Sequence, residues 1–199
     1  MLITHNMKNK KLLLGIAWAW LICLSANAEV KLPAFFSDGM VMQQQTRANL
    51  WGTATPNAPV KITTSWDKQT YKTIADAKGA WKLALSTPSA GGPYTITFDD
   101  GKLTEIRDIL MGELWLCSGQ SNMEMPMKGF KNQPVENSNT DVMNSRNPQL
   151  RLFTVKRSSS FTPKTDVVGT WQEAVPATVR EFSATAYYFG RMIQQQLNI

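Results

Sequence analysis

Histidine is almost missing from this sequence: His5 is the single one in 199 residues. Imidazole-ligated metal sites and proton relays through histidine therefore have no material beyond the first few positions. Cysteine is nearly as scarce, with Cys23 and Cys117 alone. The carboxylates are not clustered either, so no ligand set with metal-binding spacing can be assembled and no metal is expected. Lysine and arginine are scattered, without a run that could track a phosphate backbone, and nucleic acid is excluded as a partner class. Past the N-terminus, no apolar stretch approaches the roughly 20 residues of a membrane span, so no stable membrane anchor is expected.

What is present begins with a targeting pattern. Lys8, Lys10 and Lys11 precede an apolar run from Leu12 to Leu24, which is followed by Ser25-Ala26-Asn27-Ala28. A positive n-region, a short h-region and an Ala-x-Ala site predict a signal peptide over residues 1–28, cut after Ala28, with export to the periplasm or the medium. The alternative, an uncleaved anchor helix, is disfavoured by the shortness of the apolar run. Ile22 before Cys23 does not suit lipid attachment, so that thiol leaves with the leader. Only Cys117 then stays, and no intramolecular disulfide is available to an exported chain that could have used one. Loss of the leader's three lysines takes the formal charge from +6 to +3, that is 18 basic residues against 15 acidic, so the high pI is largely a targeting effect.

A hydrophobic share of 43% with 18% charged residues describes a packed globular protein. From Val30 to about Ile106, short alternating segments are punctuated by Gly, Pro, Asn and Asp, which predicts a small β-sandwich over residues 29–107. Val60–Trp66 and Tyr94–Phe98 place apolar residues at every second position, and Asp76–Gly79 and Asp99–Lys102 supply hairpin turns. Trp51, Trp66 and Trp81 lie in or beside these strands. They read either as core or as a sugar-stacking platform, and core is the commoner role.

Around Asp108 the pattern changes. Ile109–Cys117 is nearly continuous apolar sequence, and it predicts a fully buried strand running into the loop Ser118-Gly119-Gln120-Ser121-Asn122. On that reading an α/β domain begins at residue 108 and occupies 108–199, and Cys117 is a core residue. A strand is expected over Leu150–Val155. A helix is expected from Ser183, its N-cap, with Ala184, Tyr187, Tyr188, Met192, Ile193 and Leu197 on one face. Two strands and one or two helices cannot bury the edges of a parallel sheet, so the expectation is either a partner that completes it or a truncated gene product.

Reactive groups of open α/β sheets cluster beyond the carboxyl ends of strands, where Ser118 and Ser121 both fall. Gly119 permits a tight turn that presents a hydroxyl with backbone N–H groups nearby for an oxyanion. By itself Ser-Gly-x-Ser-Asn is also ordinary loop chemistry, and it is not the Gly-x-Ser-x-Gly elbow. Cys117 has no neighbour that would activate it as a nucleophile. Glu124 reads as a solvated charge or a helix N-terminal one rather than as an acid or base.

The block Gly112-Glu113-Leu114-Trp115-Leu116-Cys117-Ser118-Gly119-Gln120-Ser121-Asn122-Met123-Glu124 resembles the first signature of the sialate O-acetylesterase family. Leu32–Gln43, Trp51–Ala54 and Phe182–Arg191 resemble further blocks in the same order and at the same spacing. The resemblance implies an SGNH-type serine hydrolase of flavodoxin-like α/β fold. It implies removal of O-acetyl groups from sialic acids or related glycans through an acetyl-enzyme, with no cofactor. Ser121 is the implied nucleophile, its own N–H an oxyanion donor, and Gly119, Gln120 and Asn122 the residues shaping the pocket. The family's histidine base, in an Asp-x-x-His block, and a second oxyanion donor, in a Gln-Gly-Glu segment, have no counterpart here. Neither does a lysine base near Ser121. Loss of a triad base typically costs about a million-fold in turnover, so the chain as written is expected to be inactive. The competing reading is a glycan-binding sandwich with a vestigial loop.

Overall fold

The computed structural model describes residues 29–199. The expected leader, residues 1–28, lies outside them. Among the described residues no helix is long and apolar enough to cross a membrane. The architecture is a mixed, curled sheet with few helices. Seven strands come first: β1 (Val41–Gln43), β2 (Arg47–Thr53), β3 (Pro59–Thr64), β4 (Thr70–Ile74), β5 (Ala80–Ser86), β6 (Gly91–Asp99) and β7 (Leu103–Gly112). Short helices α1 (Ser121–Glu124) and α2 (Ser138–Met143) follow, then β8 (Asn147–Phe153), β9 (Trp171–Ala174), α3 (Pro176–Val179) and the long α4 (Ala184–Leu197).

Strand order β1-β7-β6-β3-β4 makes a five-stranded sheet in which only the β1–β7 pair is parallel. The β2–β5 ribbon shares its core. The two-residue period does the work expected of it: Val60, Ile62 and Thr64 of β3 turn inward, as do Ile96 and Phe98 of β6. Leu50, Val60, Ile62, Ile96, Phe98 and Ile109 are fully excluded from water. Each such side chain contributes about 1.5–3 kcal/mol relative to exposure. Asp99 Oδ1 accepts the Gly101 N–H at 2.9 Å in the hairpin between β6 and β7. The Asp76–Gly79 turn also forms, with Gly79 at φ +83° and an added Cβ 2.5 Å from the Ala54 carbonyl oxygen. It joins β4 to β5, which belong to different sheets, so it is a crossing and not a hairpin within one ladder.

The change of pattern at Asp108 has a cause other than the start of a new strand. β7 runs through position 108 without a break. Tyr94 pairs with Ile109 and Ile96 with Ile106, so two residues of β7, Arg107 and Asp108, face one of β6, Thr95. Asp108 takes the left-handed conformation at φ +56° and absorbs the extra residue. This is a β-bulge, and it resets the inward phase from Ile106 to Ile109 and Met111. The expected boundary at 107/108 thus falls inside one strand.

The expected buried strand through Cys117 is also corrected. β7 ends at Gly112, and Leu114, Trp115, Leu116 and Cys117 are exposed, Leu116 at 91%. Cys117 is therefore not core. Beyond Gly112 no neighbouring strand continues the ladder among the described residues.

A second core gathers Met127, Leu152, Ala174, Val179, Ala184 and Tyr187 under α4. Trp171 ties it to the first. Its ring lies 5.3 Å from Phe35 and 5.1 Å from Phe153, and its indole N–H donates to the Phe35 carbonyl at 2.8 Å. Beside it Arg151, whose side chain is 5% exposed, donates from Nη1 and Nη2 to Asp108 at 2.5 and 3.1 Å. The bulge carboxylate thereby clamps the β8–β9 ribbon to the sheet.

Candidate functional site

α4 is the element from which the site is built. Ser183 caps it as the sequence predicts, its Oγ accepting the Ala186 N–H at 3.3 Å. Its position is set by α2. Asp141 accepts from Tyr188 Oη and from Arg191 Nη1, both at 2.7 Å, and the Arg191 guanidinium lies over both tyrosine rings, at 5.5 Å from Tyr187 and 5.0 Å from Tyr188. The Arg191 hydrogen bond, followed by that of Tyr188, holds the Asp141 carboxyl below the usual carboxylate range. Burial, then the bond to Asp141, pushes the Tyr188 phenol up to about 12.

The N-terminal turn of α4 carries the Ser121 loop. Thr185 Oγ1 donates to the Asn122 carbonyl at 3.1 Å, Ser183 Oγ reaches Met123 Sδ at 3.5 Å, and Ala184 N–H donates to the Met125 carbonyl at 2.8 Å. The one-turn helix α1 follows, with the Met123 and Glu124 N–H groups donating to the Gln120 carbonyl at 2.9 and 3.1 Å. Ser121 is its first residue, so its N–H precedes any intrahelical acceptor. Gly119 packs closely: a Cβ there would sit a tight 3.1 Å from Met123 Cβ.

Ser118, Gly119, Gln120, Ser121 and Asn122 are all exposed and lie together in one turn. Among the described residues the Ser121 hydroxyl makes none of the side-chain hydrogen bonds, and none of those residues is a histidine. Glu124 pairs with Arg157, which fits its reading as a solvated charge. No group of three potential metal ligands occurs among the described residues.

Next to the loop opens a groove of about 1400 Å³ walled by Leu110, Trp115, Met123, Leu150, Phe182 and Phe189. Trp115 stands edge-on to Phe189 at 5.1 Å. Ser121 does not line this groove; Met123 and Glu124 of its helix do. The groove exceeds the roughly 300–1,000 Å³ usual for a small ligand. Of the three tryptophans, Trp81 is buried, while Trp51 and Trp66 are half-buried with their indole N–H groups spent on the Thr165 and Ser86 carbonyls. The strand β9 and helices α2 and α3 have no forecast in the sequence reading. Ser138 and Asp141 at the start of α2, and Pro176 at the first position of α3, are the signals that could have found the helices.

No family model matches the chain. It is 28% identical to the sialate O-acetylesterase of Pongo abelii over 191 residues, covering 87% of this chain and 36% of that protein. Against the sialate O-acetylesterase of Rattus norvegicus it is 28% identical over 185 residues, covering 84% and 33%. Among solved structures, a carbohydrate acetylesterase from Xanthomonas citri superposes with a TM-score of 0.79 at 32% identity, over 86% of this chain and 38% of that one. The chain spans about a third of the length of these relatives.

Proposed function

We propose a function from one premise: the chain belongs to the sialate O-acetylesterase family, whose N-terminal portion it matches. The reading is a serine esterase of acetylated glycans. Ser121 Oγ attacks the acetyl carbonyl of an O-acetylated sugar, sialic acid or a related glycan. The developing oxyanion is received by the N–H of Ser121 at the start of α1. Collapse expels the sugar hydroxyl and leaves an acetyl-enzyme, which water then resolves. Gly119, Gln120 and Asn122 shape the turn. The observation that carries the reading is the placement of Ser121: exposed, first in a one-turn helix, with the two following residues pinned to the N-terminus of α4.

Residues 29–199 contain no histidine. The base that takes the Ser121 proton comes from outside them, and this stretch alone is proposed to turn over no ester. The two cores support a division into an N-terminal sandwich and the opening part of an SGNH α/β domain, with β7 closing the first. The oversized groove and the half-exposed Met192 and Leu197 of α4 are where further strands of such a domain would pack. Export behind a leader cut after Ala28 belongs to the same proposal.

The test is acetate release from O-acetylated sialic acid and O-acetylated xylo-oligosaccharide by the full product of the gene and by its Ser121→Ala variant. A fall of about 10⁴-fold or more is expected. A variant that keeps its rate to within tenfold removes Ser121 from the chemistry.

A further inference from the structure

Among the described residues no strand lies beside the chain beyond Gly112, and side chains make the contacts there. Three of them meet there. Gln43, the last residue of β1, pairs with Gly112 in the parallel ladder, and the Gln44 N–H donates to the Gly112 carbonyl at 2.9 Å. Past that point the Gln43 carboxamide takes over at both of its ends. Nε2 donates to Glu113 Oε2 at 3.2 Å, and Oε1 accepts the Leu114 N–H at 2.9 Å. Gln44 Nε2 donates to the other oxygen of the same carboxylate at 3.0 Å, while its Oε1 accepts the Ala90 N–H at 2.8 Å. Each Glu113 oxygen thus receives one amide donor in a half-buried setting.

The mount is itself fixed. Thr87, a buried residue, donates from Oγ1 to the Gln43 carbonyl at 2.7 Å and accepts the Thr46 N–H at 3.0 Å. The Leu114 N–H would otherwise be the first backbone donor past the ladder, and Gln43 supplies the acceptor that a neighbouring strand would have given. A loop that presents a nucleophile tolerates little error, since about 1 Å of misplacement can cost a hundredfold in rate.

We infer that Gln43 and Gln44 act with Glu113 as positioning residues that aim the Glu113–Ser121 segment, so that the N-terminal sheet sets the geometry of the reactive loop. The inference rests on the reading of Ser121 as nucleophile. Its test combines two readouts on the full product of the gene: amide hydrogen exchange across residues 113–121, which needs no catalysis, and steady-state hydrolysis of an acetylated sugar. Gln43→Glu sets a second carboxylate against Glu113 and breaks the clamp. Adding Glu113→Gln restores it with donor and acceptor exchanged, because the new amide donates to the new carboxylate, which still accepts from Leu114.

The expected result is that Gln43→Glu raises exchange over residues 113–121 roughly tenfold and lowers kcat about as much, with KM within about twofold. The reciprocal pair should recover both. Gln44→Met, which removes one donor to Glu113 and the acceptor of the Ala90 N–H but leaves the Leu114 contact, should give a smaller change in the same direction and serves if Gln43→Glu does not fold. Unchanged exchange in the single variants overturns the clamp. Raised exchange with unchanged kcat overturns its positioning role, and so does a reciprocal pair that folds without recovering. If Ser121→Ala keeps full activity, the nucleophile reading fails and the positioning inference falls with it, and the exchange data then judge the clamp as structure alone.

Discussion

Arg151→Met tests whether the bulge at Asp108 is a joint between the two cores. Arg151 is nearly buried and donates to Asp108 through Nη1 and Nη2, to the Pro148 carbonyl through Nε at 2.8 Å and to the Gly39 carbonyl at 3.4 Å. Methionine keeps much of the stem and removes every donor. Breaking a buried ion pair from one side costs about 3–5 kcal/mol, chiefly because the partner is left charged and unpaired. The Asp108 side chain is 45% exposed, so water takes up part of that loss. The expected destabilisation is about 2–3 kcal/mol, or roughly 4–12 °C in Tm for a chain of this length. Asp108→Asn keeps an amide carbonyl as acceptor and a side chain that tolerates the left-handed conformation, so its cost should be about half as large. Urea denaturation followed by tryptophan fluorescence reads both variants. Because the guanidinium is shielded from solvent, the Arg151→Met effect should survive 0.5 M salt, unlike that of an exposed pair. A shift below about 0.5 kcal/mol, or one abolished by salt, would refute the clamp.

Ser183→Ala removes the N-cap of α4 and is expected to cost about 1 kcal/mol and to speed amide exchange at Ala184–Ala186 and in α1; exchange confined to α4 would separate the Ser121 turn from that helix. The Asp141 carboxyl titrates lower in the folded chain than its unfolded value of about 3.9, so its contribution is present above that pH and is lost as the pH falls through the folded value. Tyr188 runs the other way: the unfolded phenol ionises near 10 while the folded one waits until about 12, so stability falls between those values. Urea midpoints across both limbs should show Asp141→Asn flattening the acid slope and Tyr188→Phe the alkaline one, and slopes that do not change would sink the assignment.

Period-two patterning located β3 and β6 because one face of each is dry and the other wet, so burial is written directly into the alternation. The helix from Ser183 was legible for the matching reason at a period of 3.6, with a hydroxyl in the place where an orphan N–H needs it. The run Ile109–Cys117 misled because hydropathy does not say whether apolar side chains have found a partner. Ile109 and Met111 are covered by the sheet, whereas Leu116, of the same chemical class, is nearly fully exposed at the mouth of the groove. The Asp108 bulge was visible as a break in phase, but one extra residue in a strand and the first residue of a new strand disturb the alternation alike. β9 escaped notice because four residues, Trp171–Ala174, are too few to display a period.

The blocks that carry the family resemblance lie far apart in the sequence, and three of them meet beside Ser121. Within a ladder any residue except proline offers the same N–H and C=O, so many sequences hold a strand in place. Among the described residues that ladder support ends at Gly112, and from Glu113 side chains make the contacts. Gln43 comes from the Leu32–Gln43 block, Glu113 from the block that contains Ser121, and Ser183 and Thr185 from the Phe182–Arg191 block. Residues scattered over more than 140 positions thus converge on the eleven residues 113–123. The Ser121 segment is thereby held at its stem by two carboxamides and at its short helix by the start of α4.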